Sequence, residues 1–280
     1  MKIAVMTDST AYLTPEQREA FDIHMIPLQV VFDDATYEEE VDISTAEFYE
    51  KIKQQKSLPK TSQPVVGKVI EKLEELSKTY DAVISIHLSS GISGTYQSMV
   101  AADDMVEGID VYAYDSELSC MPQAYYAMEA AQMVNTGASV EAILERLDEM
   151  KQTMIAYFMV DDLSNLQRGG RLNGAQALIG SLLQVKPVLH FEDKVIVPFE
   201  KIRTKKKALS RIKSLFAEQA AGGDKMRACF IHANRPEEAE ALRAEMQAEY
   251  PNSEIDVSYF GPVIGTHLGE GAIGLTWYKV

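Results

Sequence analysis

Cysteine is nearly absent from this chain of 280 residues: Cys120 and Cys229 stand far apart, and neither has a His or Cys neighbour at metal-ligand spacing. No disulfide framework, zinc finger or redox pair can be built from such a pattern. Positive charge is also scarce, with 27 Lys and Arg against 42 Asp and Glu and a net charge of -15. A general nucleic-acid binder needs Lys and Arg over much of one face, so that class is excluded and any basic site must be local. Long apolar runs are missing as well. The start, Met1 to Asp8, breaks at Thr7 and Asp8 before reaching the length of a signal-peptide core, and no stretch approaches the ~20 apolar residues that span a bilayer. A cytoplasmic protein is expected, folded throughout, since 46% hydrophobic and 25% charged residues are globular values.

What is present alternates between strand and helix. Lys2 to Met6 reads as a buried strand closed by the polar cluster Thr7-Asp8-Ser9-Thr10, and Ile23 to Phe32 reads as its partner. Thr14-Pro15-Glu16-Gln17 and Ser44 with Glu47 are helix starts of the capping-box kind. Pro64 is placed to begin a long helix, which puts Thr61, Ser62 and Gln63 at its N-terminus. Ala82 to Leu88 is a nearly continuous apolar strand that breaks into Ser89-Ser90-Gly91-Ile92-Ser93-Gly94 and opens a helix at Thr95. Free N-H groups at such a helix start, with the positive end of the dipole behind them, attract phosphate or carboxylate. An ordinary turn capped by Ser93 or Thr95 is the competing reading.

This alternation predicts an α/β fold of two domains: residues 1–152 as a doubly wound, mostly parallel sheet, and residues 153–280 as an α+β domain with a mixed or antiparallel sheet. The change of architecture is signalled by alternation around Glu192-Asp193, which reads as a hairpin. Beyond it, Lys201, Arg203, Lys205, Lys206, Lys207, Arg211 and Lys213 follow one another without an acidic residue. This stretch is either a solvated helix face or a docking patch for a negatively charged partner or membrane headgroup.

Several chemical motifs fail. Gly269 to Gly274 matches G-x-G-x-x-G, but only six residues follow it, too few for a dinucleotide unit, and no P-loop occurs. The five histidines, His24, His87, His190, His232 and His267, lack H-x-x-x-H or H-E-x-x-H spacing, so no metal is expected. Gly91 to Thr95 narrowly misses the G-x-S-x-G elbow, and Asp256 and His267 follow Ser93 in hydrolase order. A serine esterase or lipase using Ser93 therefore stands as the enzymatic alternative, and a lipid-sensing regulatory protein as a third. What remains is a set of hydroxyls and backbone donors at Thr61, Ser62, Ser93 and Gly94, with His267 in a segment read as a mobile glycine-rich loop and Arg171 behind the Gly169-Gly170 pair.

Taken together, Thr7 to Thr10, Lys60 to Pro64, Leu88 to Tyr96, Gly169-Gly170-Arg171, Arg203 to Ala208 and Gly265 to Gly269 resemble, in order, the motifs of the DegV family, the bacterial fatty-acid-binding proteins also called FakB. Glu270 departs from the pattern, standing where members often carry Pro. The resemblance implies a long-chain fatty acid lying between the two domains as the ligand, with no cofactor. It implies a carboxylate held by Thr61, Ser93 and the Gly94 N-H, with His267 close by and Ser62 and Arg171 in the wider network. It further implies a carrier rather than an enzyme. A separate fatty acid kinase would dock near Arg203, Lys205 and Lys206 and phosphorylate the bound acid to an acyl phosphate for phospholipid synthesis, with transient contact at a membrane surface. Ile92, Ile155, Phe158, Leu182, Val188 and Ile264 are apolar candidates for the acyl tunnel, although core packing is the better account of most of them.

Overall fold

Burial at every position of Ile3–Asp8 and Ala82–His87 sets the architecture of the first half, because a strand covered on both faces belongs inside a parallel sheet. The computed structural model describes residues 1–33, 35–55, 57–173 and 186–280. They divide into unit 1, Met1–Ile43 with Thr61–Gln152, and unit 2, Ser44–Lys60 with Thr153–Val280.

In unit 1 the elements run β1 (Ile3–Asp8), a 3-10 turn (Ser9–Ala11), α1 (Pro15–Phe21), β2 (Ile23–Ile26), β3 (Gln29–Val31) and β4 (Thr36–Glu38). After α2 (Thr45–Gln54), which belongs to unit 2, come β5 (Lys60–Ser62), α3 (Val66–Leu76), β6 (Ala82–His87), α4 (Thr95–Asp103), β7 (Asp110–Asp115), α5 (Met121–Asn135) and α6 (Val140–Thr153). The main sheet has the order β2-β1-β6-β7, parallel at each described pair. The chain thus leaves β1 toward β2 on one side and later adds β6 on the other. The carboxyl ends of β1 and β6 form the switch point of the sheet, where ligand loops of open α/β sheets gather. Both capping boxes form as the sequence implies, with Thr14 accepting from the Gln17 N-H and Ser44 from the Glu47 N-H. On α3 the buried residues Val69, Leu73 and Leu76 share one helical face.

Two expectations need correction here. The strand expected over Ile23 to Phe32 is two strands in two sheets, because Pro27 between them has no N-H to continue the ladder. A first domain over residues 1–152 also overlooks the excursion Ser44–Lys60. Tyr49 on α2 donates its hydroxyl to the Phe260 carbonyl at 2.8 Å, and both Phe48 and Tyr49 are buried in unit 2.

Unit 2 continues with β8 (Ile155–Met159), α7 (Ser164–Arg168), β9 (Val188–Glu192), β10 (Val195–Glu200), α8 (Lys205–Ala220), β11 (Met226–His232), α9 (Pro236–Glu249), β12 (Glu254–Tyr259), α10 (Pro262–Leu268) and β13 (Ile273–Lys279). Its sheet has the order β10-β9-β8-β13-β11-β12, parallel only at β11 and β12 among the described pairs. The hairpin around Glu192-Asp193 is β9 and β10, an antiparallel pair at one edge of this sheet, which the parallel β11 and β12 pair makes mixed. The core gathers Phe216, Phe230, Trp277, Val188 and Met246, with Ile155 packed against it. Val188 and Ile155 therefore serve the core, and Leu182 lies outside the described residues. Among the described residues no helix is long and apolar enough to cross a membrane.

Candidate functional site

The loop after β6 is built by committing its amides one after another. Leu88 N-H goes to Asp8 Oδ2 at 3.0 Å and Ser89 N-H to the Leu118 carbonyl at 2.7 Å. Ser90 N-H then goes to Asp115 Oδ1 at 3.1 Å, and Gly91 N-H to Ser89 Oγ at 3.2 Å. The Ile92 and Ser93 N-H groups both reach the Ser89 carbonyl, each at 3.1 Å. Gly94 is the first residue of the loop whose N-H makes no hydrogen bond, to backbone or side chain, among the described residues. It is also the cap of α4, a position without a side-chain cap. The cap expected from Ser93 or Thr95 is replaced by a looser arrangement: Ser93 Oγ accepts from the Thr95 N-H at 3.3 Å and lies 2.9 Å from Thr95 Oγ1.

Thr61 and Ser62, expected at a helix start, lie instead on β5, and α3 begins at Val66 behind an uncapped Val65. Pro64 fixes an extended approach and does not open the helix, so the two hydroxyls have no capping duty there. Thr61 is half-buried and Ser62 exposed. The following residue, Gln63, is not marked by the sequence as a site residue, yet it closes over the loop: a Cβ added at Gly94 would stand 2.3 Å from Gln63 Oε1. Gly94 is needed for that approach.

In unit 2, His267 lies on α10, a buried helix packed against α7 and α2, so the glycine-rich segment forms a helix rather than a loop. Gly265 permits this packing, since a Cβ there would be 2.6 Å from Tyr49 Oη. Gly169, at the end of α7, faces the imidazole so closely that a Cβ would meet His267 Nδ1 at 2.3 Å. Gly170 turns with φ +68°, and Arg171 folds its guanidinium back onto the Gly169 carbonyl. Burial first, and then the Arg171 cation, push the His267 imidazole down to about 4. His267 is accordingly neutral near pH 7, able to offer a proton from one ring nitrogen without adding charge.

The same facts weigh against the Ser93 hydrolase. A triad histidine is raised by its orienting carboxylate, whereas His267 is lowered by burial and then by a cation. Asp256, the carboxylate that such a triad would need, stands within 3.7 Å of Arg227 on the neighbouring strand. A Ser-His-Asp constellation does exist elsewhere: Ser85 Oγ is 2.7 Å from His87 Nε2, and His87 Nδ1 is 3.0 Å from Asp8 Oδ2. All three side chains are 0% exposed, so no substrate reaches Ser85. The sequence carries one sign of this network, two polar residues at i and i+2 on one face of an otherwise apolar strand.

The basic stretch splits once its partners are placed. Lys205 pairs with Glu238 at 2.7 Å, Lys213 with Glu245 at 2.8 Å, and Arg211 with both Glu200 and Glu218. Lys205 is thus a weaker docking candidate than its position suggests. Lys201, Arg203 and Lys207 line an open groove of about 460 Å³ with Ser210 and Ser214, and Arg203 and Lys206 are exposed. Among the described residues no group of three or more His, Cys, Asp or Glu is placed to hold a metal ion.

One unit with a parallel sheet and one with a mixed sheet define a class of two-unit α/β protein. Residues 2–280 match the family described as Uncharacterised protein, DegV family, and the chain belongs to the DegV family. It is 61% identical over 278 residues to Protein DegV of Bacillus subtilis, covering 99% of each chain. The crystal structure of DegV from Bacillus subtilis, described as a fatty acid binding protein, superimposes with a TM-score of 0.96 at 60% identity over 100% of both chains. A DegV family protein from Thermus thermophilus, also described by its fatty acid binding, does so at 0.91 and 31% identity over 100% of both chains.

Proposed function

We propose that this chain binds a long-chain fatty acid and presents its carboxylate to a separate fatty acid kinase. The observation that carries the reading is the loop after β6, in which the amides from Leu88 to Ser93 are committed and the Gly94 N-H, beside the Ser93 hydroxyl, is not. Such a ledge receives an acceptor. Thr61, Ser93 and the Gly94 N-H are the first donors of the carboxylate, with His267 as a neutral donor and Ser62 and Arg171 in the wider network. The description of the Bacillus subtilis and Thermus thermophilus relatives as fatty acid binding proteins supports the same ligand.

The chemistry of presentation follows from the donors. Burying roughly fifteen methylenes at ~0.8 kcal/mol each gives an upper bound of ~12 kcal/mol, so the tail dominates affinity and the head group sets orientation. A carboxylate held by neutral hydroxyls and amides keeps an oxygen available to attack a phosphoryl donor, whereas a tight bidentate guanidinium pair would hold both. The phosphoryl chemistry, and the acyl phosphate fed to phospholipid synthesis, belong to the kinase. The groove of Lys201, Arg203 and Lys207 with Lys206 is the surface offered to that partner, with transient contact at a membrane surface as its second use. No cofactor enters this scheme.

Calorimetric titration with oleate or palmitate tests the reading. The double substitution Ser93→Ala with Thr61→Ala weakens binding while the thermal transition persists; unchanged affinity removes both residues from the site.

A further inference from the structure

Asp8 ends β1 at the switch point of the parallel sheet, and its carboxylate is 0% exposed. Around it, every near neighbour is a donor. Oδ1 accepts the Thr10 N-H at 3.0 Å and lies 2.6 Å from Thr10 Oγ1; Oδ2 accepts the Leu88 N-H at 3.0 Å and faces His87 Nδ1 at 3.0 Å. A carboxylate only accepts, so Nδ1 must be the protonated nitrogen of His87, which leaves Nε2 toward the Ser85 hydroxyl. Gln123 on α5 closes the ring of contacts, 3.0 Å from Thr10 Oγ1 and 2.9 Å from Thr7 Oγ1. Burial alone pushes the Asp8 carboxyl up, but His87, Thr10 and Gln123 together hold it below the usual Asp value. A buried charge this well satisfied costs several times more to disturb than an exposed one, and it fixes geometry rather than reacting.

What it fixes is the departure of the loop. Leu88 is the first residue after β6, and the next amide, Ser89 N-H, is held by the Leu118 carbonyl at 2.7 Å. Ser89 then supplies the acceptors for Gly91, Ile92 and Ser93. The placement of the Ser93 hydroxyl and the open Gly94 N-H is therefore inherited, through a short chain of bonds, from the point where Asp8 seizes the Leu88 N-H. We propose that Asp8 is a positioning residue for the carboxylate cradle, acting through Leu88 and Ser89 on Ser93 and Gly94 without touching the ligand. His87 and Ser85 hold the Asp8 carboxylate in register. This inference rests on the fatty acid reading above.

Asp8→Asn is the test, because it keeps the shape and turns one acceptor into a donor. In either orientation of the amide, its NH₂ faces N-H groups: Leu88 and His87 on one side, Thr10 on the other. The full chain is titrated with oleate and with oleyl alcohol, which shares the tail and lacks the carboxylate. The wild type binds oleate; failure to do so overturns the fatty acid reading together with this inference, and is seen before any variant is compared. In Asp8→Asn the preference for oleate over the alcohol falls by about tenfold, the scale of one lost charge-assisted hydrogen bond, while alcohol affinity changes little. A general loosening of the fold would lower both affinities together. Should Asp8→Asn not fold, Thr10→Val, which removes one hydroxyl from Asp8 Oδ1, shows the same shift in preference at smaller size. An unchanged oleate-to-alcohol ratio in a folded Asp8→Asn, or in Thr10→Val where only that variant folds, overturns the assignment.

Discussion

His267 links acidity to stability with a sign and a size that follow from its surroundings. In the unfolded chain an imidazole takes up its proton near pH 6.5, whereas in the folded chain burial and the Arg171 cation lower this to about 4. Between those values the unfolded state binds a proton that the folded state refuses. Stability is therefore fully present above the unfolded value, falls as the pH drops through the window, and stops falling once both states are protonated. A tenfold difference in proton affinity between the two states is worth ~1.4 kcal/mol, so the loss attributable to His267 is about 2 kcal/mol at pH ~5 and about 3 kcal/mol once the window is crossed. Urea unfolding of the wild type and His267→Gln, each at about pH 7.5 and about pH 5, isolates the contribution, because Gln has no proton to take up. Titrations of His24, His190 and His232, each lowered first by burial, are common to both proteins and cancel in the comparison. The wild type should lose about 2 kcal/mol more than the variant over that interval. Parallel losses would refute the argument and place the imidazole in water. Replacing Arg171 by Gln should bring the imidazole part of the way back toward its ordinary value.

Other expectations are more local. Gly265→Ala places a Cβ 2.6 Å from Tyr49 Oη and 3.1 Å from Phe48 Cε1, both on buried side chains, so thermal unfolding should show a loss of about 1–3 kcal/mol, and an unchanged transition would mean that α2 and α10 are not locked together. Gly94→Ala meets only the end of the Gln63 side chain, which can swing away, so its stability should change little while oleate affinity falls; equal affinity would remove Gln63 and Gly94 from the cradle. Charge reversal at Arg203 and Lys206 should slow acyl phosphate formation by the kinase and leave oleate binding intact, and reversal at Lys205, already paired with Glu238, should have the smaller kinetic effect. A fluorophosphonate probe should label neither Ser93 nor the buried Ser85, and labelling of Ser93 would restore the esterase reading.

The parts of the fold that can be read from the sequence are those set by neighbours along the chain. Thr14 and Gln17, or Ser44 and Glu47, settle a helix start by contacts across three residues, and the apolar run Ala82–His87 announces a strand buried on both faces. Pro27 can be weighed in the same way, since a missing N-H inside a supposed strand is a local signal. The excursion of Ser44–Lys60 into unit 2 cannot. It depends on Tyr49 finding the Phe260 carbonyl, 211 residues away in the chain, and on Gly265 leaving room for the Tyr49 ring. The candidate site divides by the same logic. The loop that carries Ser93 and Gly94 is legible because an apolar run that breaks into Ser and Gly before a helix start is a local signal. Asp8 looks like one member of a polar turn, and His87 like one histidine among five. Their meeting is created by the parallel register that pairs Thr7 with Ile86, which brings the last residues of β1 and β6 side by side at the switch point of the sheet. A donor site assembled at such a point needs its loop held from beneath, and the apolar strands around it offer few polar groups for the purpose. Ser85 and His87 at i and i+2, facing Asp8 across the register, supply that support.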